Sequence, residues 1–497
     1  MNKRIVVVSL TVLMVLVLTA WVFVYLKPWV VRMVALYPYT LSATFEELER
    51  LFEGENGGVD LELKPYHVRE ELYTLLDEGE VDIVVAEDLS VMEMLSENGY
   101  VNWYLEFATG DGGTAYYIAA SRNSKHLEQA LAFTQLLLSE EGKDVLREYG
   151  YEPVTPAMGF GDVPEELREY ALEFKSVIDW LGRRVIVPKP VKRVVSIVPM
   201  ITLSILMMDG GDLLVGVDSV SPTSELLTKV FPQIKNIPVA GAPWSVNIEL
   251  ILSLDPDVVL TTDRPMEVVK KFEELEIPVV IVPMGRLHCD QLPEAIRLIG
   301  EVIGREDKAE ELASYCEEKM TTLLNVTSEI SRSERAKVYI AISDGLKTHI
   351  AYISRDIVWI AGGVNVAENL SGPAGSGPPM AAVSMETVLT WNPDIIITWD
   401  PQVKELILSD PRWAEVNAVK NNRVYVIPRG LRSWITPEPE AFLGAMWLAE
   451  KLNPDAFSFN FEEEVKLFYY RFLGYELSDE ELSRILSGEY GVEIPGT

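Results

Sequence analysis

Five side chains hold the chemistry that this sequence offers: Trp244, Tyr352, Arg355, Arg432 and Trp434. Each falls in a loop expected beyond the carboxyl end of a short apolar strand, where open α/β sheets hold their ligands. Flat rings stack on planar faces, and guanidinium forks bind carboxylate or catecholate oxygens. Together they suit a large planar or anionic chelate. Pro199–Thr202, Arg264, Arg286–His288, Trp399 and the whole of Arg429–Trp434 belong to the same set of loops, whereas Trp391 and Trp413 read as core. No nucleophile elbow, Walker A loop, zinc-protease helix or Rossmann glycine fingerprint occurs. Gly372-Pro-Ala-Gly-Ser-Gly377 lacks the Lys-Ser/Thr of a phosphate loop and reads as a loop at a cleft rim. No enzyme is expected, and ATP hydrolysis would need separate chains. His288-Cys289-Asp290 is one trio in one loop, and a transition metal needs three or four converging ligands. No metal and no cofactor is therefore expected. Pairing of Cys289 with Cys316 stays open, as does glycosylation at Asn325 and Asn369.

Composition narrows the partners. The chain has 497 residues, 48% of them hydrophobic and 24% charged, as in folded soluble proteins. Lys plus Arg number 43 against 76 Asp plus Glu, a net charge of −33. A polyanion would be repelled, so no nucleic-acid partner is expected.

The amino-terminus suggests a compartment. Lys3 and Arg4 precede an uncharged run of 22 residues, Ile5–Leu26. At ~1.5 Å per residue that run spans a ~30 Å hydrocarbon core. Trp21, Phe23, Tyr25 and Trp29 crowd its far end, as an aromatic belt would. The leading charges place the rest of the chain outside. The expectation is a cell-membrane protein with a single amino-terminal span and an extracytoplasmic bulk. A cleaved signal peptide ending near Leu18-Thr19-Ala20 is the competing reading.

Apolar runs and helical spacing then divide the chain. Residues 1–30 form the anchor or signal segment, 31–160 a small α/β domain, and 161–174 a linker with a helix over Pro164–Phe174. Residues 175–289 and 336–477 are two lobes, each alternating buried-type strands with helices, which implies parallel sheets. Residues 290–335 form a long helix between them, with Gly300 and Gly304 as places where it can break, and 478–497 form a tail. The fold class is thus α/β, with two parallel-sheet lobes joined by a long helix, a small amino-terminal α/β half-domain and a transmembrane anchor. The two lobes share a repeat. Glu249-Leu-Ile-Leu-Ser-Leu-Asp-Pro-Asp-Val-Val-Leu-Thr261 matches Glu386-Thr-Val-Leu-Thr-Trp-Asn-Pro-Asp-Ile-Ile-Ile-Thr398 in step.

Residues 175–477 resemble a class III periplasmic solute-binding protein, the family that delivers iron–siderophore, haem or corrinoid complexes to ABC importers. The matching segments are Asp179-Trp-Leu-Gly-Arg-Arg-Val-Ile-Val-Pro188, Lys192-Arg-Val-Val-Ser-Ile-Val-Pro199, Leu214-Val-Gly-Val-Asp218, Ala361-Gly-Gly-Val-Asn-Val-Ala367, Ala418-Val-Lys-Asn-Asn-Arg-Val-Tyr425 and Trp434 through Ala449. The resemblance implies capture of a metal chelate (ferric siderophore, corrinoid or haem) and transfer to a permease with its ATPase. It also implies one acidic docking residue per lobe. Glu249 and Glu386 stand at equivalent positions of the repeat and fill that role. Residues 31–160 resemble half of a molybdate-type solute-binding protein, with Thr40 and His67-Val68 where oxyanion-binding serines would stand. Half a ring of donors leaves an oxyanion solvated, so a spacer or docking role is expected there. A non-transporting surface scaffold or ligand sensor is the alternative for the whole chain.

Overall fold

The computed structural model describes residues 31–78, 81–263, 266–283, 288–370, 380–457 and 459–490. The chain divides between Lys175 and Ser176 into two compact units.

In the first unit the strands are β1 (Val31–Pro38), β2 (Val59–Tyr66), β3 (Ile83–Ala86), β4 (Trp103–Thr109), β5 (Ala115–Ala120), β6 (Glu152–Gly161) and β7 (Ala171–Ile178). They lie in the order β2-β1-β3-β5-β4-β6-β7. β1 runs parallel to β2 and β3, whereas β3, β5, β4 and β6 pair antiparallel. Helix Ser42–Glu55 turns Phe45, Leu48 and Phe52 inward, and Phe52 meets Phe133 edge-on at 5.3 Å. The helix expected over Pro164–Phe174 does not form. A single 3-10 turn, Glu165–Leu167, gives way to β7, which pairs parallel with β6 in the register Phe160–Phe174. The open edge of β6 supplies backbone partners, and tertiary pairing overrides local helix preference.

The second unit opens with a turn at Asp179–Arg183, where Gly182 has φ 75°, and strand β8 (Arg184–Pro188). Two sheets follow. The first half holds β9 (Val194–Ser196), β10 (Leu214–Asp218), β11 (Val239–Ala242), β12 (Ser245–Val246), β13 (Val258–Thr261) and β14 (Val279–Ile281), in the order β12-β11-β10-β9-β13-β14. The second half holds β15 (Ala336–Ile342), β16 (Lys347–His349), β17 (Gly363–Asn365), β18 (Met380–Ala382), β19 (Ile395–Thr398) and β20 (Val424–Val426), in the order β18-β16-β15-β19-β20, with β17 also on β15. The sheets are mixed, not wholly parallel: β12, β16 and β18 run antiparallel to their neighbours. β12 and β16 pair with the strands just before them in sequence, as hairpins that need no crossover, whereas β18 returns to β16 after β17.

The expected single helix between the halves is two. Helix Leu292–Ile303 stops at Gly304 in the left-handed region (φ 68°), and helix Glu306–Thr327 begins after it. Arg297 joins them, donating to Glu310 at 2.7 Å and Glu317 at 2.8 Å.

The repeat is built alike in both halves. Helices Ile248–Ser253 and Met385–Trp391 each end in a left-handed Asx, Asp255 (φ 44°) and Asn392 (φ 46°), before Pro-Asp. Asp257 Oδ2 then accepts the N–H groups of Lys192 and Arg193 at 2.6 and 2.9 Å, and Asp394 Oδ2 that of Lys337 at 2.9 Å. Each aspartate ties the start of the central strand to the repeat helix beside it.

The expected membrane localisation is corrected. Among the described residues no helix is long and apolar enough to cross a membrane. The Ile5–Leu26 run on which that expectation rested lies outside the described residues, as do Arg264, Arg286 and Gly372–Gly377.

Candidate functional site

Two loop clusters gather at the seam between the halves of the second unit. In the first, Tyr352 and Arg355 sit on the opening turn of helix Tyr352–Ile360. The Tyr352 ring packs on His288, from the first half, at 4.7 Å between centroids. His288 Nδ1 lies 2.8 Å from Asp356 Oδ2, and the same oxygen accepts the Cys289 N–H at 3.0 Å. His288 thus spends its ring on closing the seam. Among the described residues no group of three His, Cys, Asp or Glu side chains is placed to hold a metal ion. Arg355 lies with its guanidinium 5.5 Å from the Tyr352 ring, and its Nη2 donates to the Leu370 carbonyl at 2.8 Å. Its Nε is buried and meets no partner among the described residues.

The second cluster is the Arg429–Trp434 loop. Glu440, fully buried, shapes it by accepting the backbone N–H groups of Leu431 (3.3 Å) and Arg432 (3.1 Å), the Trp434 indole N–H (3.2 Å) and the Tyr469 hydroxyl. Burial pushes the Glu440 carboxyl up, and these donors oppose the rise. The Arg432 side chain turns to Glu438, at 3.3 Å. Trp434 is 0% exposed. The expectation that it stacks on a ligand is corrected: the ring is wholly enclosed, its N–H bonded to Glu440 and its plane perpendicular to that of Phe461, with centroids 5.9 Å apart. The hydroxyl of Ser224, in the first half, donates to the Leu431 carbonyl at 2.9 Å and fixes the loop across the seam.

Trp244 stands at the tip of the β11–β12 hairpin, 60% exposed. Burial lowers His349 to about 4, so this ring, edge-on to Trp399 at 5.5 Å, stays neutral. Trp413 is core, as its sequence context suggested. Both cysteines are free and buried. Glu249 and Glu386 are exposed on the first turns of their repeat helices, behind the caps Asn247 and Ser384. A cavity of about 570 Å³ lies elsewhere, walled by Lys404, Tyr425, Trp447, Lys451, Glu450 and Glu462 among others. It includes none of the expected ligand residues, and those lysines and glutamates balance one another. Sequence reasoning missed Asp356, Glu438 and Glu440. The last two stand in Thr436-Pro-Glu-Pro-Glu440, ahead of a wholly apolar helix, which is the signal that could have marked them as buried.

Residues 194–430 match the family model for periplasmic binding proteins. The molybdate-binding protein MolA of Haemophilus influenzae is 30% identical over 327 residues, 61% of this chain and 92% of the relative. The chain belongs to the periplasmic binding protein family. An uncharacterized substrate-binding lipoprotein of an ABC transporter from Bacillus subtilis, YvrC, is 26% identical over 57% of this chain and 86% of its own. The solved structure of MolA bound to molybdate superposes with a TM-score of 0.55 and 28% identity, covering 61% of this chain and 99% of the other. Members of this family are solute-binding components of ABC importers, which act with a permease and an ATPase and are not enzymes.

Proposed function

We propose that the second unit captures an anionic, oxygen-rich solute at the seam between its halves and delivers it to a permease. Arg355 supplies the positive charge left free among the described residues, Arg432, paired with Glu438, lines the second cluster, and Tyr352 and Trp244 flank the entrance. The observation that carries this reading is the uncommitted, buried Nε of Arg355 beside the Tyr352 ring. A guanidinium with one donor unspent is suited to an oxyanion. The MolA relative, which binds molybdate, supports a small oxyanion of that class. A second reading keeps the metal chelate (ferric siderophore, corrinoid or haem). It is favoured by two aromatic faces at the surface, Trp244 at 60% and Tyr352 at 39% exposure. Glu249 and Glu386 are the permease-docking residues. The first unit, which includes the 161–174 segment, serves as a spacer or docking module.

Calorimetric titration of the purified protein with molybdate, tungstate, a ferric catecholate, haem and cobalamin tests both readings. Saturable molybdate or tungstate binding, weakened at least tenfold in Arg355→Ala and Arg432→Ala, is the expected result. Binding of a chelate alone favours the second reading. Binding of none leaves a scaffold or sensor that has kept the fold.

A further inference from the structure

Three buried carboxyl groups, Asp218, Glu438 and Glu440, gather where the halves of the second unit touch, and among the described residues only Glu438 meets a guanidinium, that of Arg432. Asp218 ends β10 in the first half. Its Oδ1 accepts the N–H groups of Val220 (2.8 Å) and Ser221 (2.7 Å), and its Oδ2 the hydroxyls of Thr202 (2.7 Å) and Ser221 (2.6 Å). Glu440 is likewise filled with donors. Glu438 differs. It is 2% exposed, its Oε1 accepts from Arg432 Nε at 3.3 Å, and its Oε2 has no partner among the described residues. The groups that face it are Arg432, Asp218 and Glu440. Burial pushes its carboxyl up to about 8; Arg432 draws it down, while Asp218 and Glu440 push it up again.

We propose that Glu438 is a proton-operated latch: with its proton in place the Asp218 side and the 431–440 segment stay packed, and without it they part. Ionised Glu438 would be a third buried acid against a single cation, with one oxygen unsolvated. Buried like charges destabilise one another, and an unpaired buried charge is the costliest case of all. Separation of the halves lets water reach the carboxylate. Packed Glu438 keeps a proton that parted Glu438 releases, between the ordinary carboxyl range and about 8. Packing therefore weakens as pH rises through that window and levels off above it. Because Arg432 belongs to the same cluster, solute retention falls with it. That last consequence rests on the anion-binding reading, whereas the latch itself does not.

Hydrogen–deuterium exchange of the full chain without solute, from pH 5.5 to 9 and corrected for intrinsic rates, tests the latch. Amides of 218–224 and 431–434 are expected to lose protection by up to about tenfold per pH unit, the limit for one linked proton. Glu438→Gln should keep protection throughout. Arg432→Gln, which retains the acid but removes the cation, should begin to lose protection in the same range as wild type but go on losing it to a higher pH before levelling off. Flat protection in the wild type, or loss in Glu438→Gln matching the wild type, overturns the proposal. If Glu438→Gln does not fold, an unmoved transition in Arg432→Gln overturns it instead. Molybdate titration of the same samples at pH 6 and 9 separates the two ideas. An exchange transition without molybdate binding at either pH removes the anion reading and leaves the latch. Equal molybdate binding at both pH values with flat exchange removes the latch and leaves the anion reading.

Discussion

The indole N–H of Trp434 donates to Oε1 of Glu440 at 3.2 Å, inside a cluster that also takes the Tyr469 hydroxyl and two backbone N–H groups of the Arg429–Trp434 loop. One buried acid thereby sets the backbone path of the loop that carries Arg432. Every partner of Glu440 is a donor, so it is an acceptor site that an amide cannot fully replace. Glu440→Gln should lower stability by about 1–3 kcal/mol, the scale for leaving buried polar partners unpaired. Urea denaturation of the full chain measures this, and an unchanged midpoint would count against the cluster as an organiser.

Gly430 lies against the same cluster. A Cβ there would overlap the Tyr469 hydroxyl and a Glu440 oxygen. Gly430→Ala should displace the loop, with a stability loss of about 1–3 kcal/mol typical of overpacking. Solute affinity should fall along with it, and calorimetry alongside thermal unfolding distinguishes this from a silent change.

The two repeat aspartates should be equivalent in energy as well as in geometry. Asp257→Ala and Asp394→Ala each remove acceptors for the N–H groups that begin a central strand. Each should destabilise the second unit by roughly 0.5–1.5 kcal/mol. A large effect from one and none from the other, by chemical denaturation, would show that the repeat is one of shape alone.

His349 gives a pH dependence of its own. Burial holds it neutral in the folded chain down to about 4. The unfolded chain therefore binds the extra proton, and stability contributed by the neutral ring is lost as pH falls from about 6.5 towards 4. His349→Gln should flatten this part of the acid limb when unfolding temperatures are compared across that range. An acid limb of the same slope in both proteins would contradict the assignment.

Glu249 and Glu386, exposed on equivalent helices, should matter to transport and hardly to solute affinity. Exposed single ion pairs are worth ~0–1 kcal/mol, whereas loss of one partner at a closed protein interface costs ~2–5 kcal/mol. The double reversal Glu249→Arg with Glu386→Arg should abolish uptake in vesicles reconstituted with the cognate permease and ATPase, with calorimetric affinity unchanged. Intact uptake would leave both as ordinary helix-start acids.

The sequence by itself determined the parts whose structure is dictated locally. Asp255-Pro-Asp257 and Asn392-Pro-Asp394 ended two helices and launched two buried strands, because Asx tolerates the left-handed turn and proline cannot continue a helix. Ala441–Leu452 was legible as a helix, and Lys337–Ile342 as a strand, from their apolar runs. Tertiary structure decided the rest. Residues 171–174 became strand because β6 offered an open edge, a partner that local propensity does not contain. Trp434 and Arg432 share one loop, yet one points into the core and the other to Glu438 at the seam. Residue type places an aromatic or a guanidinium in a loop; the direction it takes depends on which donors and acceptors the rest of the chain brings to that loop. Here those are Glu440, Tyr469 and Ser224, the last 207 positions from Leu431 along the chain, and only folding puts them there.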